Sequence, residues 1–349
     1  MNSKKIILLL CMTSLMFNAH AQNKITWFFP AAAVPTGGEE NLHNLLQGYL
    51  KPIAEDFGTL SNNGWYTTSA THKRWGFDIN VTVNNININS EAKTFDPVPL
   101  TGVTYLGGED PLPTAYGKEG EFPQFQFTEG GNFGTTFRGP DGIDPGKDLP
   151  IGSLAVPTTQ VGVGILKGTD LYVRFTPTIK MNATELGNWG VAIKHDIKQH
   201  IPVIADLPFS LSVFAGYTNL KATTDLSGHY NGNGQEGVAQ TSSYTFQVLV
   251  GKEIKVISFY GGVGFNTSKT DYDINGTYMV NTTDTGGSLY QSVTLENPFS
   301  DSYSKSSLRG TAGLRLKFGP VILNGDYTLV SKSSIITAGF GFTFDPKGI

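Results

Sequence analysis

Hydrophobic positions recur with a period of two over most of the chain. Near its end Ile336, Ala338, Phe340, Phe342 and Phe344 alternate with Thr337, Gly339, Gly341 and Thr343. Period two is the side-chain period of a β-strand. The same alternation puts Phe77, Ile79, Val81 and Val83 on one face, then Val161, Val163 and Ile165, then Leu171, Val173, Phe175 and Ile179. It returns with Leu211, Val213, Ala215 and Tyr217, with Tyr244, Phe246, Val248 and Val250, with Phe259, Val263 and Phe265, and with Leu308, Ala312, Leu314 and Leu316. Val321, Leu323, Tyr327 and Leu329 complete the set. One stretch breaks the pattern: in residues 40–58 Leu42, Leu45, Leu46, Tyr49, Leu50 and Ile53 recur at helical spacing. Pro52 predicts a kink or split in that helix and Gly58 a stop.

Alternation alone fits a soluble sandwich, whose apolar faces meet, or a membrane barrel, whose apolar faces meet lipid. The connections separate the two. Tight turns around 167–170, 251–255 and 319–320 alternate with long Gly-, Asn- and Thr-rich links at 224–239 and 275–305, the two-sided loop rule of outer-membrane barrels. Tracing back from Phe344 at the periplasmic side gives an all-β, antiparallel up-and-down barrel of twelve strands, or fourteen if 275–305 holds a hairpin. Two of the twelve lie between 91 and 137, where Pro and Gly are dense. Phe259, Val263, Leu314, Leu323 and Phe340 then face lipid. Asp78, Arg174, Lys180, Lys194, Arg309, Arg315, Lys317 and Asp326 are the lumen-facing candidates.

Composition narrows the class. Charged residues make up 15%, Gly occurs 42 times in 349, and the net charge is −4, which gives no reason to expect a nucleic-acid partner. Lys4 and Lys5 precede a short apolar run from Ile6 to Phe17 and an Ala19-His20-Ala21 cleavage pattern, which reads as a signal peptide over 1–21. Cys11, the only cysteine, lies inside it, so the exported chain has no thiol for disulfides or metal. Asp271, Asp273 and Asn275 in "DYDING" match the first half of a calcium loop, but Thr282 stands where the bidentate Glu belongs. Asp284-Thr285-Gly286 has no second copy to make an aspartic-protease pair. His195, Asp196 and His200 fit no zinc spacing. No nucleophile constellation stands out, and no enzyme activity or cofactor is expected.

The A-x-A leader and the closing "LRLKFGPVILNGDYTLVSKSSIITAGFGFTF" resemble Gram-negative outer-membrane β-barrel proteins. The helix before the first strand is also similar in layout to the hatch of the long-chain fatty-acid transporter class. The resemblance implies residence in the outer membrane, contact with its lipid, and insertion by the barrel assembly machinery. One departure is that Asp345–Ile349 follow the final aromatic. The expected organisation is leader 1–21, helical plug 22–73, barrel 74–344 and tail 345–349. The plug is expected to cap the lumen from the periplasmic side, with Glu39, Glu40, Glu55 and Asp56 pairing with Arg174, Arg309, Arg315 and Lys317. Three functions fit: a channel or transporter for a small solute through a polar lumen; a non-transporting surface barrel whose outer loops bind a partner; and a soluble exported β-sandwich binding protein.

Overall fold

The computed structural model describes residues 24–34, 36–130, 133–144, 154–181, 183–283 and 289–346. The leader, Cys11, the Asp284-Thr285-Gly286 triplet and most of the tail lie outside them.

A 3-10 turn, Lys24–Ala32, leads into helix α1, Gly38–Ser61. Strand β1 is Phe77–Asn87. Five short strands follow: β2 (Thr94–Phe95), β3 (Val103–Tyr105), β4 (Leu112–Pro113), β5 (Gln124–Phe127) and β6 (Thr136–Arg138). Then come β7 (Leu154–Leu166), β8 (Thr169–Met181), β9 (Thr184–Asp196), β10 (Ser210–Asp225), β11 (Glu236–Ile254) and β12 (Ile257–Asn275). The chain ends with β13 (Thr277–Thr283), β14 (Leu289–Glu296), β15 (Phe299–Phe318), β16 (Val321–Val330) and β17 (Ser333–Phe344). Ten of these close a barrel in the order β1-β17-β16-β15-β12-β11-β10-β9-β8-β7, every neighbour antiparallel, with β1 sealing onto β7.

The wall therefore has ten strands rather than twelve or fourteen. Residues 91–137 supply only strands of two to four residues, which pair among themselves as β2-β4 and β3-β5-β6. A bilayer-spanning strand needs about 9–11 residues, and the Pro and Gly in this region cut every run short of that. Because Ile86 pairs with Leu154, the whole of 88–153 connects two strand ends at the same mouth, so 107–121 is not a turn at the opposite mouth. The hairpin inside 275–305 exists as β13-β14, but β12 pairs directly with β15 from Ile274↔Phe299 downwards, which leaves the hairpin outside the wall. The loop rule holds only in part: tight turns also join β8 to β9 and β16 to β17 in the long-loop mouth, and residues 197–209 form a long link in the opposite one.

Outward side chains form an apolar band. Phe259, Val263, Leu314, Leu323 and Phe340 are 54, 67, 44, 42 and 45% exposed. The upper edge of the band is level across paired strands: Phe246, Phe265 and Leu308 are in register, and the next outward row is Thr267 and Ser306. From Ile257 to Phe265, at ~3.3 Å per residue and a ~40° tilt, the band is roughly 20–25 Å tall, the height of a barrel's lipid-facing belt. Trp189, Tyr217 and Tyr244 stack edge to edge along its upper rim, ring centroids 5.4 and 4.9 Å apart, as an interfacial girdle. Val263→Arg is expected to cost about 2–4 kcal/mol in urea unfolding from lipid vesicles, and Val263→Leu close to nothing. A cost below 1 kcal/mol for the Arg variant would mean that this face does not meet lipid.

Inside, the barrel is filled. Thr328 is fully buried, and a Cβ at Gly313 would lie 2.4 Å from the Tyr260 ring, so an Arg at either inward position would overpack a closed space rather than enter water. In the long-loop half the filling is apolar: Leu42, Leu45, Leu46 and Tyr49 of α1 pack with Phe28, Phe29 and Tyr278. No described helix is long and apolar enough to cross a membrane.

Candidate functional site

Residues 61–76 form the feature that sets this barrel apart from an open pore. Helix α1 sits in the long-loop mouth: His43 packs on Phe299 at 5.3 Å between ring centroids, and Gln47 donates to Asp301 at 2.9 Å. It runs unbroken through Pro52, whose missing N–H removes only the bond to the Gly48 carbonyl. It also passes Gly58 and ends at Ser61. Gly58 is there for clearance, since a Cβ would lie 2.2 Å from Ser268 Oγ. The chain then descends through the lumen to the tight-turn mouth, where it becomes β1. The helix thus caps the lumen from the long-loop end, opposite to the expected periplasmic side. Its connection to β1 is long enough to thread the barrel.

The wall receives this segment group by group. Ser61 and Ser243 hydroxyls meet at 2.7 Å, and Asn62 donates to the Tyr244 carbonyl at 3.1 Å. Arg174 donates to the carbonyls of Ser61 (2.8 Å) and Asn63 (2.6 Å), its guanidinium 3.8 Å from the centroid of the Trp65 ring. Arg309 donates to the Asn62 carbonyl (2.9 Å) and the Asn63 side chain (2.7 Å). Lower down, Gln160 donates to the Trp65 carbonyl, the Tyr66 hydroxyl to Gln247, and Ser212 to the Ser69 carbonyl, at 3.1, 2.6 and 2.9 Å. At the bottom, Lys194 donates to the Ala70 carbonyl at 2.6 Å and pairs with Asp170 at 3.2 Å. His72 is held between Asp170 (3.1 Å) and Asp78 (3.5 Å).

Of the eight inward candidates, Arg174, Lys194, Arg309 and Asp78 belong to this column. Arg315 is buried on the same face, and Asp326 accepts from the Tyr260 hydroxyl at 3.2 Å. Two are corrected. Lys180 is exposed and pairs with Glu185 at 3.6 Å, because a bulge between Thr176 and Ile179 breaks the alternation below it. Lys317 lies at the tight-turn rim, 3.7 Å from Asp345. The expected helix-to-lumen ion pairs do not form either. Glu55 meets Lys305 of upper β15 at 3.1 Å, and Glu39 and Glu40 are exposed at the far end of the helix. Asp56 is buried beside Glu55 and Lys305. Burial pushes its carboxyl up to about 6, against the opposing pull of Lys305. Burial raises the Tyr49 hydroxyl as well.

Asp271, Asp273 and Asn275 do not curl into a calcium loop. They alternate along the outer face of β12, where Asp271 and Asp273 accept from Ser302 and Ser300, and Asn275 donates to Glu236. An extended strand points such residues in parallel rather than at one centre. No cluster of three or more candidate metal ligands occurs among the described residues. Asp170 and His72 were missed by the sequence reading. For Asp170 the signal was there, because strand parity puts it on the inward face with Arg174. His72 follows no periodic run and carries no such signal.

Three solved barrels illustrate the structural comparison. The attachment invasion locus protein Ail of Yersinia pestis has 10% identity and a TM-score of 0.27, over 78% of this chain and 100% of that one. The translocator domain of autotransporter NalP from Neisseria meningitidis has 12% identity and a TM-score of 0.31, over 90% and 99%. The Pseudomonas putida toluene transporter TodX has 7% identity and a TM-score of 0.17, over 79% and 95%. These scores carry no functional argument. No curated protein matches the sequence. A family model matches residues 2–344, and the chain belongs to that family, described as Family of unknown function (DUF6588).

Proposed function

We propose that this protein is an outer-membrane transport barrel for a small hydrophilic solute, closed at rest by its own residues 61–76, with the long-loop mouth facing out of the cell. The observation that carries this reading is the way the segment is held. Its carbonyls at Ser61, Asn62, Asn63, Trp65, Ser69 and Ala70 each accept from a wall side chain. Bonds between a polar wall and a polar strap can be exchanged for bonds to water when the strap shifts, which an apolar core would resist. The space so exposed is lined by Arg, Gln, Thr and Ser, together with Tyr172, Phe214, Leu249 and Tyr260, which pack with Trp65 and Tyr66 of the segment.

A disulfide staple tests it. Once the leader is removed, Ser61→Cys/Ser243→Cys introduces the only thiols, at hydroxyls 2.7 Å apart. In planar bilayers the reduced variant is expected to open under voltage or mild urea and the oxidised one to stay closed. Equal conductance in both states would show that solute passage does not involve this segment.

A second reading, a surface barrel that binds a partner, is favoured by the bulk stacked on the long-loop mouth. Phe133 and Leu106 there are 72 and 51% exposed. Silence in both redox states of the staple would support it.

A further inference from the structure

We infer that the wall carries a lateral portal between β7 and β8, through which a compact uncharged apolar molecule passes from the outer leaflet into a cavity beside α1. The inference needs only the wall and the cavity, and stands whether or not residues 61–76 move.

The β7-β8 ladder runs from Leu166↔Thr169 up to Gln160↔Arg174 and stops. Above it, Leu154–Thr159 still pair with β1, and Ile179–Met181 still pair with β9, but no ladder pair joins the two strands to each other, and a single long side-chain bond, from the Thr176 hydroxyl to the Pro157 carbonyl at 3.4 Å, crosses between them. Three further features coincide at this height. Pro157 on β7 and Pro177 on β8 each lack the N–H a ladder needs. A bulge between Thr176 and Ile179 adds a residue to β8, which bends a strand locally. Residues 177–180 are exposed on both faces, although everything from Leu171 to Thr176 alternates strictly between exposed and buried. Unpaired backbone is costly in hydrocarbon. This gap begins at Phe175, level with Trp189 of the interfacial girdle, and rises from there.

Behind it lies a cavity of about 140 Å³. Ile53 and Phe57 of α1, Leu154 of β7, Leu186 of β9, Ala222 of β10 and Ala239 of β11 line it. Among the described side chains β8 contributes none to the lining, although it lies between β7 and β9 in the wall; a bulge such as the one between Thr176 and Ile179 bends a strand locally. A cavity lined by alkyl and aromatic groups stays dry and favours an apolar guest; a charged or strongly hydrogen-bonding guest would be left unpaired. Its volume suits one or two fused rings or a short alkyl chain.

The test uses the full mature protein in lipid nanodiscs with 1-aminonaphthalene as probe. Saturable binding is expected, at least tenfold weaker in Ala239→Phe, which fills the cavity; Ala222→Phe serves the same purpose if the first variant fails to assemble. Thr158→Cys/Thr176→Cys spans the second missing rung, the first whose two side chains point inward. Its oxidised form is expected to slow probe uptake at least tenfold and leave the equilibrium amount bound unchanged, and reduction should restore the rate. Absent saturable binding, or binding indifferent to both fillers, overturns the site. Uptake indifferent to the oxidised staple overturns the portal.

Discussion

Replacing both Arg174 and Arg309 with methionine is expected to free the turn at residues 61–63 from the wall and leave the barrel closed. Four short hydrogen bonds, of 2.6 to 2.9 Å, join the two guanidinium groups to this turn. Bonds from a charged donor are worth about 1.5–3 kcal/mol each. Against that, methionine removes the desolvation cost of two cations, several kcal/mol per ion. Arg174 is fully buried, and it is held by neutral groups: two backbone carbonyls, Gln160 and the Trp65 ring. The strands themselves lose nothing, since β8 and β15 are held by backbone ladders. The net loss falls on the docking of the segment, and we expect about 2–4 kcal/mol, roughly a 30- to 700-fold shift toward the undocked form. The labelling rate of a Ser61→Cys reporter by a soluble thiosulfonate measures it directly. Lysine at both positions keeps the charge but not the planar fork, so its rate should fall between the two. Unchanged labelling in the methionine variant would mean that the segment is held by packing alone.

What could be read from the sequence was whatever strand parity controls. Period two separated Phe340 from Gly339 and Arg309 from Leu308 correctly, because in a closed barrel one face points outward all the way round. The leucines of α1 likewise marked a buried helix face before any partner was known. Parity says nothing about pairing partners. The short strands of 91–137 carry local alternation, as in "QFQF", yet belong to a cap, and only the direct register of β1 on β7 reveals the ten-strand wall. It also fails where an extra residue enters, as between Thr176 and Ile179, which sent Lys180 to the wrong face. The end of the lumen that α1 occupies depends on the path of residues 62–76. That stretch has no periodicity, and its bonds to Asp170, Arg174 and Arg309 span 98, 111 and 246 positions. The apolar cavity was invisible for a related reason. Its lining comes from inward positions such as Ala222, Ala239 and Leu186, above the membrane belt, where the inner face turns from polar to apolar. A search for one lumen character per strand passes over that change.

Lys194→Met is expected to be the most damaging single change in the tight-turn half, costing about 3–5 kcal/mol. Lys194 is 1% exposed and Asp170 is fully buried. Asp170 Oδ2 faces Lys194 Nζ at 3.2 Å and accepts from the Tyr172 hydroxyl at 3.1 Å, and Oδ1 accepts from the His72 backbone N–H at 2.9 Å. A second carboxylate, Asp78, stands on the other side of His72 at 3.5 Å. Removing the lysine leaves two acids around one imidazole and strips the Ala70 carbonyl of its donor. Breaking one half of a buried pair is costly because the partner charge stays behind. The diagnostic is therefore the double variant. Asp170→Asn/Lys194→Met removes both charges and keeps one acceptor oxygen for the His72 backbone N–H, while the new amide NH2 can donate to the Tyr172 oxygen, so it should recover at least 2 kcal/mol relative to the sum of the two single losses. Urea midpoints in detergent, with the slope unchanged, measure each state. Strictly additive losses would show that the two charges do not depend on each other, and that Lys194 acts only as the clamp on residues 68–70.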